Sequence, residues 1–576
     1  MGHGHGHGHH HHDEVSMTGG DLPAALDGSI PDSELNPGDL SRRGFLRNAG
    51  LVGAGAAAGA ALGVPSVAAA SDSHTPAWND DDRHGNPRWQ GVGYKWLAGD
   101  HHTHTQYSGD AMYRVNDHVR HASAYGLDWL VITDHGSVQH AKIGVEKVNP
   151  DIKAARKDFN DVLVFQGFEW NIPGAEHGTV FVHPGANEVA VLKEFENSFD
   201  GVVTGTTASL PANEAVAIAG VNFLAGAVNS HRVADALFLA NHPARKGLDS
   251  PHEIRGWRDA QPRIAVGMEG APGHQAAGFK APNGAGSGRG FYDNSPTADS
   301  FAGFPPESYR TWGGFDWMTS TVGGLWDSLL AEGKPWWITA NSDSHMVYAD
   351  NSTRGPNSDF TNNGFFNDPV YGGGLNLTQG DFWPGYYSKT HVGARDFSYA
   401  AVMAGIRAGR VWVDHGGLIG NLDVQLRVKG TPFGVTLGDT LTLHRGAHAE
   451  LIIKIDLASQ PNWSQFVPTL ARVDVIVGEV TGAASDKDAF TAPKTKVVKS
   501  FDVSKATGSV TLTYDLGEVG KAQYLRIRGT DGKRSAVGLM GASVDPAGPA
   551  IDVVGDADPW QDLWFYANPI WVLPRS

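Results

Sequence analysis

Gly99-Asp100-His101-His102-Thr103-His104-Thr105 follows the apolar run 94–98, which reads as a short strand. Side chains in an extended segment alternate with a period of two, so His102 and His104 point to the same side of the strand end. Two neutral imidazoles on one side can ligate one divalent metal. Alone, an H-x-H pair is more often a pair of surface polar residues. Its weight comes from recurrence, because His, Asp or Glu stands at the tip of almost every later apolar strand.

Outward from this stretch, apolar runs alternate with amphipathic ones as far as residue 413. The helix-like stretch 115–125 precedes the strand-like run 129–133, and 150–159 precedes 162–168. Residues 230–235 lead into 236–240, and 264–268 is a further short run. Then 322–332 precedes 336–340, and 399–408 precedes 411–413. Strands alternating with helices predict a parallel sheet, and this many predict an α/β barrel. Two stretches break the rhythm and read as lids or insertions: 188–229, small-residue loops and helix, and 270–320, rich in Gly and Pro. After His415 the pattern becomes strict alternation over 422–428, 449–455, 473–477, 510–514 and 524–527. That predicts an antiparallel, immunoglobulin-like β-sandwich with its boundary near Gly416-Gly417.

The strand ends form a set. The first carries His102 and His104, with Asp110 one loop later, and the second ends in Asp134-His135. Run 162–168 ends in Glu169, and His177 and His183 flank the run 179–182. The later ends are Asn241-His242-Pro243, Glu269, and Asn341-Ser342-Asp343-Ser344-His345. In an α/β barrel these ends share one face, where active sites form. Each tip also has a plainer reading, such as a helix cap for Asp134-His135 or a turn for His242-Pro243. That account needs every tip to fall at a strand end independently, so the set reads as a metal centre. Imidazole and carboxylate ligands without sulfur suit Zn, Mn or Fe more than Ca or Mg.

Composition sets the bounds. The 576 residues include no Cys, which excludes thiolate catalysis, Cys–zinc sites and disulfides. The formal charge is −17; residues 1–70 hold seven acids and three arginines, a net of −4, leaving −13 for the rest. That balance argues against nucleic acid or anionic membrane as a partner, and any phosphate site must gain positive charge locally. Residues 1–12 read as a histidine-rich affinity tag and 13–40 as a polar, disordered leader. Arg42-Arg43, the apolar run 49–64 and Ala68-Ala69-Ala70 resemble a twin-arginine export signal. The alternative is a membrane anchor, but the run is short and alanine-rich for a stable span, so cleavage after Ala70 is expected. The mature protein is then exported by the twin-arginine machinery to the periplasm, cell surface or medium. Residues 71–93 form a linker, 94–415 the barrel and 416–576 the β-domain.

Taken in order, H-x-H, D, T-D-H, E, H, H-P and D-x-H resemble the PHP-type (polymerase and histidinol phosphatase) metallohydrolases over roughly residues 94–415. The resemblance implies a distorted (β/α)7 barrel with two or three divalent metals. The stretches 404–413 and 567–572 look like an exported branch that includes carbaryl-hydrolase-like proteins, in which a β-domain follows the barrel. Carried over, the resemblance puts His102, His104, Glu169 and Asp343 around one metal. Glu169 bridges to a second, held also by the histidine after Glu169 and by His242. A third, if present, uses Asp110, His135 and His345. His177 begins the strand, where the family pattern places that histidine; His183 ends it in a His-Pro pair, and His177 is preferred. Asp110 replaces a histidine found in some members, and Glu269 reads as a support rather than a ligand.

Such a centre acidifies a bridging water to hydroxide, neutralises phosphoryl oxygens and aligns attack with departure of the leaving group. The leading expectation is therefore an exported phosphoesterase acting on a phosphomonoester or small phosphodiester. Glu169 and Asp343 are central to it, and Arg245 either clamps a non-bridging oxygen or forms a surface ion pair. His140 or His274 would protonate the leaving group, and Asp134 would orient its neighbours. A second reading, a carbamate, ester or amide hydrolase, comes from the carbaryl-hydrolase resemblance. In it the aromatics of 312–317, Trp326 and 382–387 either line an apolar pocket or pack an insertion onto the barrel. A third, a non-catalytic surface-binding protein, is disfavoured by the complete ligand set.

Overall fold

The computed structural model describes residues 93–279, 281–284, 296–533 and 558–575. The tag, the leader, the twin-arginine motif and the linker up to residue 92 lie outside the described residues. β1 (Lys95–Asp100), β2 (Trp129–Ile132) and β3 (Leu163–Asn171) pair in parallel. They are mostly apolar and largely buried, as parallel strands covered on both faces must be. A Cβ on Gly99 would lie 2.0 Å from the Trp129 ring, so only glycine lets that indole cross β1.

The next strand departs from the all-parallel expectation. β4 (His177–Val182) runs antiparallel to β3 and to β5 (Ala236–Ala240). The reason is the short link 172–176, because a parallel crossover needs a dozen residues or more. β5, β6 (Ala265–Ala271) and the strand Trp337–Ala340 are again parallel. On the other flank, Ser388–Ala394 runs antiparallel to both β1 and Val411–His415.

Helices cover the outside. Val115–Ala124 buries Val115, His118, Val119 and Ala122, the spacing of one helical face. The region 188–229 is more helical than expected, with helices at Glu188–Phe199, Gly201–Thr204 and Pro211–Asn229. Its small residues serve close packing: a Cβ on Gly220 would touch Phe199, Phe195 and Trp170 at 3.2–3.3 Å.

Beyond His415 the alternating runs become strands as expected. Ile419–Val428, His448–Leu457 and Ser509–Glu518 form one sheet with Gly434–Val435. Thr495–Asp502, Arg472–Glu479, Gln523–Thr530 and Trp564–Arg575 form the second, with Thr440–His444 parallel to the last. Leu422, Val424 and Ile453 from the first share a buried core with Val475, Ile527 and Phe565 from the second. Gly416 and Gly417, both at positive φ, make the turn where the pattern changes. Trp564–Arg575 then pairs with Val411–His415, so one sheet runs from this region into the barrel.

Side chains complete the barrel edge at Trp337–Ala340. The Thr390 hydroxyl accepts from Ala340 N and donates to Ala340 O, both at 2.8 Å. Asn568 Oδ1 accepts from Ile338 N at 2.9 Å. Trp571, three residues on, packs edge-on against Trp337 at 5.5 Å. We expect Asn568→Ala to leave a buried N–H unpaired and to destabilise the fold by about 1–3 kcal/mol. A denaturant midpoint lowered at unchanged slope would show it; an unmoved midpoint would mean the edge does not need Asn568.

Candidate metal centre

The C-terminal ends of the parallel strands open on one mouth, and antiparallel β4 presents its N-terminal end there. His177, the first residue of β4, therefore stands beside Glu169, with Nδ1 3.1 Å from Oε1. His183 lies past the opposite end, its Nδ1 2.9 Å from Pro184 O.

Glu169 is the hub. Its side chain is 1 % exposed, and four imidazoles approach within 3.1 Å. His102 Nε2 lies at 3.1 Å, His135 Nδ1 at 2.6 Å and His242 Nε2 at 3.0 Å. Asn241 Nδ2 donates to the same carboxylate at 3.1 Å. Asp343 Oδ1 faces His102 and His104, both at 3.1 Å, and His345 at 3.5 Å. Asp110 Oδ2 meets His135 at 3.0 Å and His345 at 3.6 Å. All nine residues expected as ligands thus stand in one cluster.

Several of these atoms lack what buried polar atoms normally have. His104 Nε2, Glu169 Oε2, His177 Nδ1 and Asp343 Oδ1 are buried without hydrogen-bond partners, although each faces other donors of the cluster. His102/His104/Asp343, His102/Glu169/His242, His135/Glu169/His177 and His104/His135/His345 each bring three donor atoms within 4.8 Å of one another. Buried orphans are rare in native proteins. Imidazole nitrogens and carboxylate oxygens turned toward one another fit divalent cations.

The electrostatics follow from burial and neighbours. Burial opposes charge on Glu169, but His177, His102 and His135 outweigh it and hold the carboxyl well below its usual range. Asp343 is depressed in the same way by His102, His274 and His345. His102 is held well above the ordinary imidazole value, because Asp343, Glu269 and Glu169 overcome its burial. His104 goes the other way, lowered by burial and then by His345 and His135. His242 is lowered to about 3 by burial and Arg245.

A layer behind the cluster orients it. Glu269 Oε1 lies 2.8 Å from His102 Nδ1 and accepts from Asn341 Nδ2 at 3.1 Å; Oε2 accepts from His242 N at 2.8 Å. Asp134 accepts from Thr105 N at 2.6 Å and Ser108 Oγ at 3.1 Å, holding the loop that follows the H-x-H pair. His242, His274 and Asp343 adopt φ of 30°, 58° and 47°. Left-handed backbone at non-glycine residues costs about 1–3 kcal/mol each and clusters at functional sites.

A cavity of about 370 Å³ opens over the cluster, bordered by Asp110, His177, His242, Arg245, His274, Asp343 and residues 378–381. Arg245 does form an ion pair, with a buried partner and at the edge of the cavity. Its guanidinium contacts buried Glu176 at 3.2 Å, and Lys246 reaches the same carboxylate at 3.1 Å. Glu176 is pulled down to about 2, Arg245 chief among the cations that overcome its burial. Of the two histidines considered for leaving-group protonation, His140 is buried against Glu196 at 2.9 Å and does not border the cavity, whereas His274 does. Trp312, Trp317 and Trp326 lie in the apolar core and Phe382 and Tyr387 are buried, so these aromatics pack rather than line the cavity. Glu176 and Asp381 were not anticipated. Glu176 is adjacent to His177 in sequence, but Asp381 sits in a loop with no strand end to mark it.

A buried imidazole–carboxylate cluster at one mouth of a distorted α/β barrel is the donor set that suits divalent metals. Residues 100–221 match the family model for the PHP domain. No curated protein matches the chain. Among solved structures, a two-domain protein of Bacteroides vulgatus, described as containing a predicted PHP-like metal-dependent phosphoesterase, is 13% identical, with 76% of this chain and 92% of that one covered and a TM-score of 0.30. A proposed metal-dependent phosphoesterase of Bifidobacterium adolescentis is 16% identical over 32% of this chain and 79% of its own, at a TM-score of 0.18. Endonuclease Q, solved with duplex DNA carrying an abasic lesion, is 12% identical over 54% and 56%, at 0.26.

The strand direction of β4 yields a direct test. We expect His177→Ala to lose bound metal, as measured by elemental analysis, and His183→Ala to retain it. Equal retention in both variants would remove His177 from the ligand set.

Proposed function

We propose that this protein is a metal-dependent phosphoesterase acting on a small phosphomonoester or phosphodiester. The observation that carries the reading is Glu169: one buried carboxylate ringed by four imidazoles, beneath a cavity that Arg245 borders. His102, His104 and Asp343 would hold one cation, and His177 and His242 a second, with Glu169 shared. Asp110, His135 and His345 suit a third. Cations held there supply Lewis acidity, which generates a nucleophile from water at neutral pH and offsets phosphoryl charge.

The chain's own residues do the rest. Arg245, steadied by Glu176, presents a planar cation to a phosphoryl oxygen at the cavity wall. Glu269 and the Asn241/Asn341 pair fix imidazole orientation before substrate arrives. A cavity of about 370 Å³ suits a small molecule. The net charge of −17 weighs against a polyanionic duplex.

Glu169→Gln keeps the size of this side chain and removes its charge. Two cations brought together without that anion repel, so we expect a folded protein with reduced metal content. Hydrolysis of p-nitrophenyl phosphate and bis-p-nitrophenyl phosphate should fall by about a thousandfold or more, ~4 kcal/mol of barrier. Near wild-type turnover at full metal content would sink the assignment. A wild-type enzyme that cleaves a naphthyl carbamate or an abasic-site duplex, and neither phosphoester, would overturn the substrate class.

Export by the twin-arginine route is part of the proposal and rests on Arg42-Arg43 and the apolar run behind them. Replacing both arginines by lysine should leave unprocessed protein in the cytoplasm of a competent bacterium. Export of the double variant at the wild-type level would refute this route.

A further inference from the structure

His274 has the chemistry of a ligand and the geometry of something else. It lies just beyond β6, and its two ring nitrogens face two different carboxylates. Nε2 lies 2.6 Å from Asp343 Oδ2, and Nδ1 lies 2.5 Å from Asp381 Oδ1. A ring nitrogen that donates a proton has no lone pair left for a metal. Asp343 meanwhile divides its oxygens: Oδ2 takes His274, while Oδ1 is turned to His102 and His104 without a hydrogen-bond partner.

Asp381 is fixed in turn. Its Oδ2 accepts from His345 N at 2.7 Å and Met346 N at 3.1 Å, the backbone that leaves the Asp343-x-His345 tip. The segment carrying His274 is pressed against both: a Cβ on Gly273 would lie 2.2 Å from Ser342 O, and Ala276 N donates to Gly380 O at 2.9 Å.

We propose that His274 is a positioning residue, anchored by Asp381, that occupies Asp343 Oδ2 and so presents Oδ1 alone to the metal centre. The inference rests on the metal-holding part of the proposed function and does not depend on the substrate. It gives the 346–381 excursion a task besides walling the cavity, since that excursion delivers Asp381. Partners behind metal ligands are typically worth about 10–100-fold in metal affinity or activity.

The test compares His274→Ala, His274→Gln and Asp381→Asn with wild type by metal content and by the rate of metal loss to EDTA. Circular dichroism checks that each variant folds. His274→Ala should lose one metal about 10–100-fold faster, with a lower kcat and an unchanged KM for p-nitrophenyl phosphate. His274→Gln retains a donor toward Asp343 and should recover much of the retention; Asp381→Asn should fall between. Wild-type retention in His274→Ala would overturn the proposal. So would His274→Gln losing metal as fast as His274→Ala, because the imidazole would then be a ligand itself. If wild type retains metal but cleaves no phosphoester, the phosphoesterase reading fails while the retention series still decides the role of His274.

Discussion

A carboxylate buried at 1 % exposure needs compensating neighbours, and four imidazoles stand within 3.1 Å of Glu169. Much of the barrel's polar interior answers to that constraint. The rings cannot all carry charge, and the protein alone reaches an alternation. His102 and His135 are held above their ordinary values by neighbouring carboxylates, while His104 and His242 are held below by burial and neighbouring cations. To hold a cation, His102 and His135 would give up those protons, and the orphaned oxygens would gain a partner. A polar interior of this kind is costly unless every member is satisfied, which is why the cluster reads as a site and not as a core.

Much of this was legible in the sequence because strand ends are legible. Apolar runs mark the strands, and parallel strands in a barrel share one active face, so the residue after each run becomes a candidate. The logic holds for His102, His104, His135, Glu169, His242 and Asp343. It reverses at β4, where a short link forces a hairpin and the first residue of the strand reaches the mouth. Helices in 188–229 were harder to read, because alanine and glycine fit both loops and close-packed helices.

The residues that escaped are those whose partners are fixed only by tertiary contact. Asp381 lies 107 positions from His274, in a segment without periodicity. Asn568 lies 230 positions from the Ile338 amide it caps, in a terminal strand whose sequence shows apolar character but not its neighbour. Nothing local distinguishes either from an ordinary loop or strand polar residue. The change of pattern at Gly416-Gly417 was visible. The return of Trp564–Arg575 to the barrel edge was not, since sheet order is set by packing and not by periodicity.

Closure and strain explain one another. A barrel edge completed by the Thr390 and Asn568 side chains, instead of a full ladder, keeps Trp337–Ala340 in register. That strand ends just short of Asp343, whose backbone stands in the left-handed region at φ 47°. Such a conformation persists only where its surroundings over-determine it. Here they do so from three sides. Asp100 accepts from Ser342 N at 2.9 Å, Gly273 leaves no room for a Cβ against Ser342 O, and His274 holds the carboxylate itself. Through Asn568 the C-terminal β-region thus bears on the candidate metal centre: Asn568 fixes the strand, the strand sets the tip, and the tip sets the direction in which Asp343 Oδ1 points.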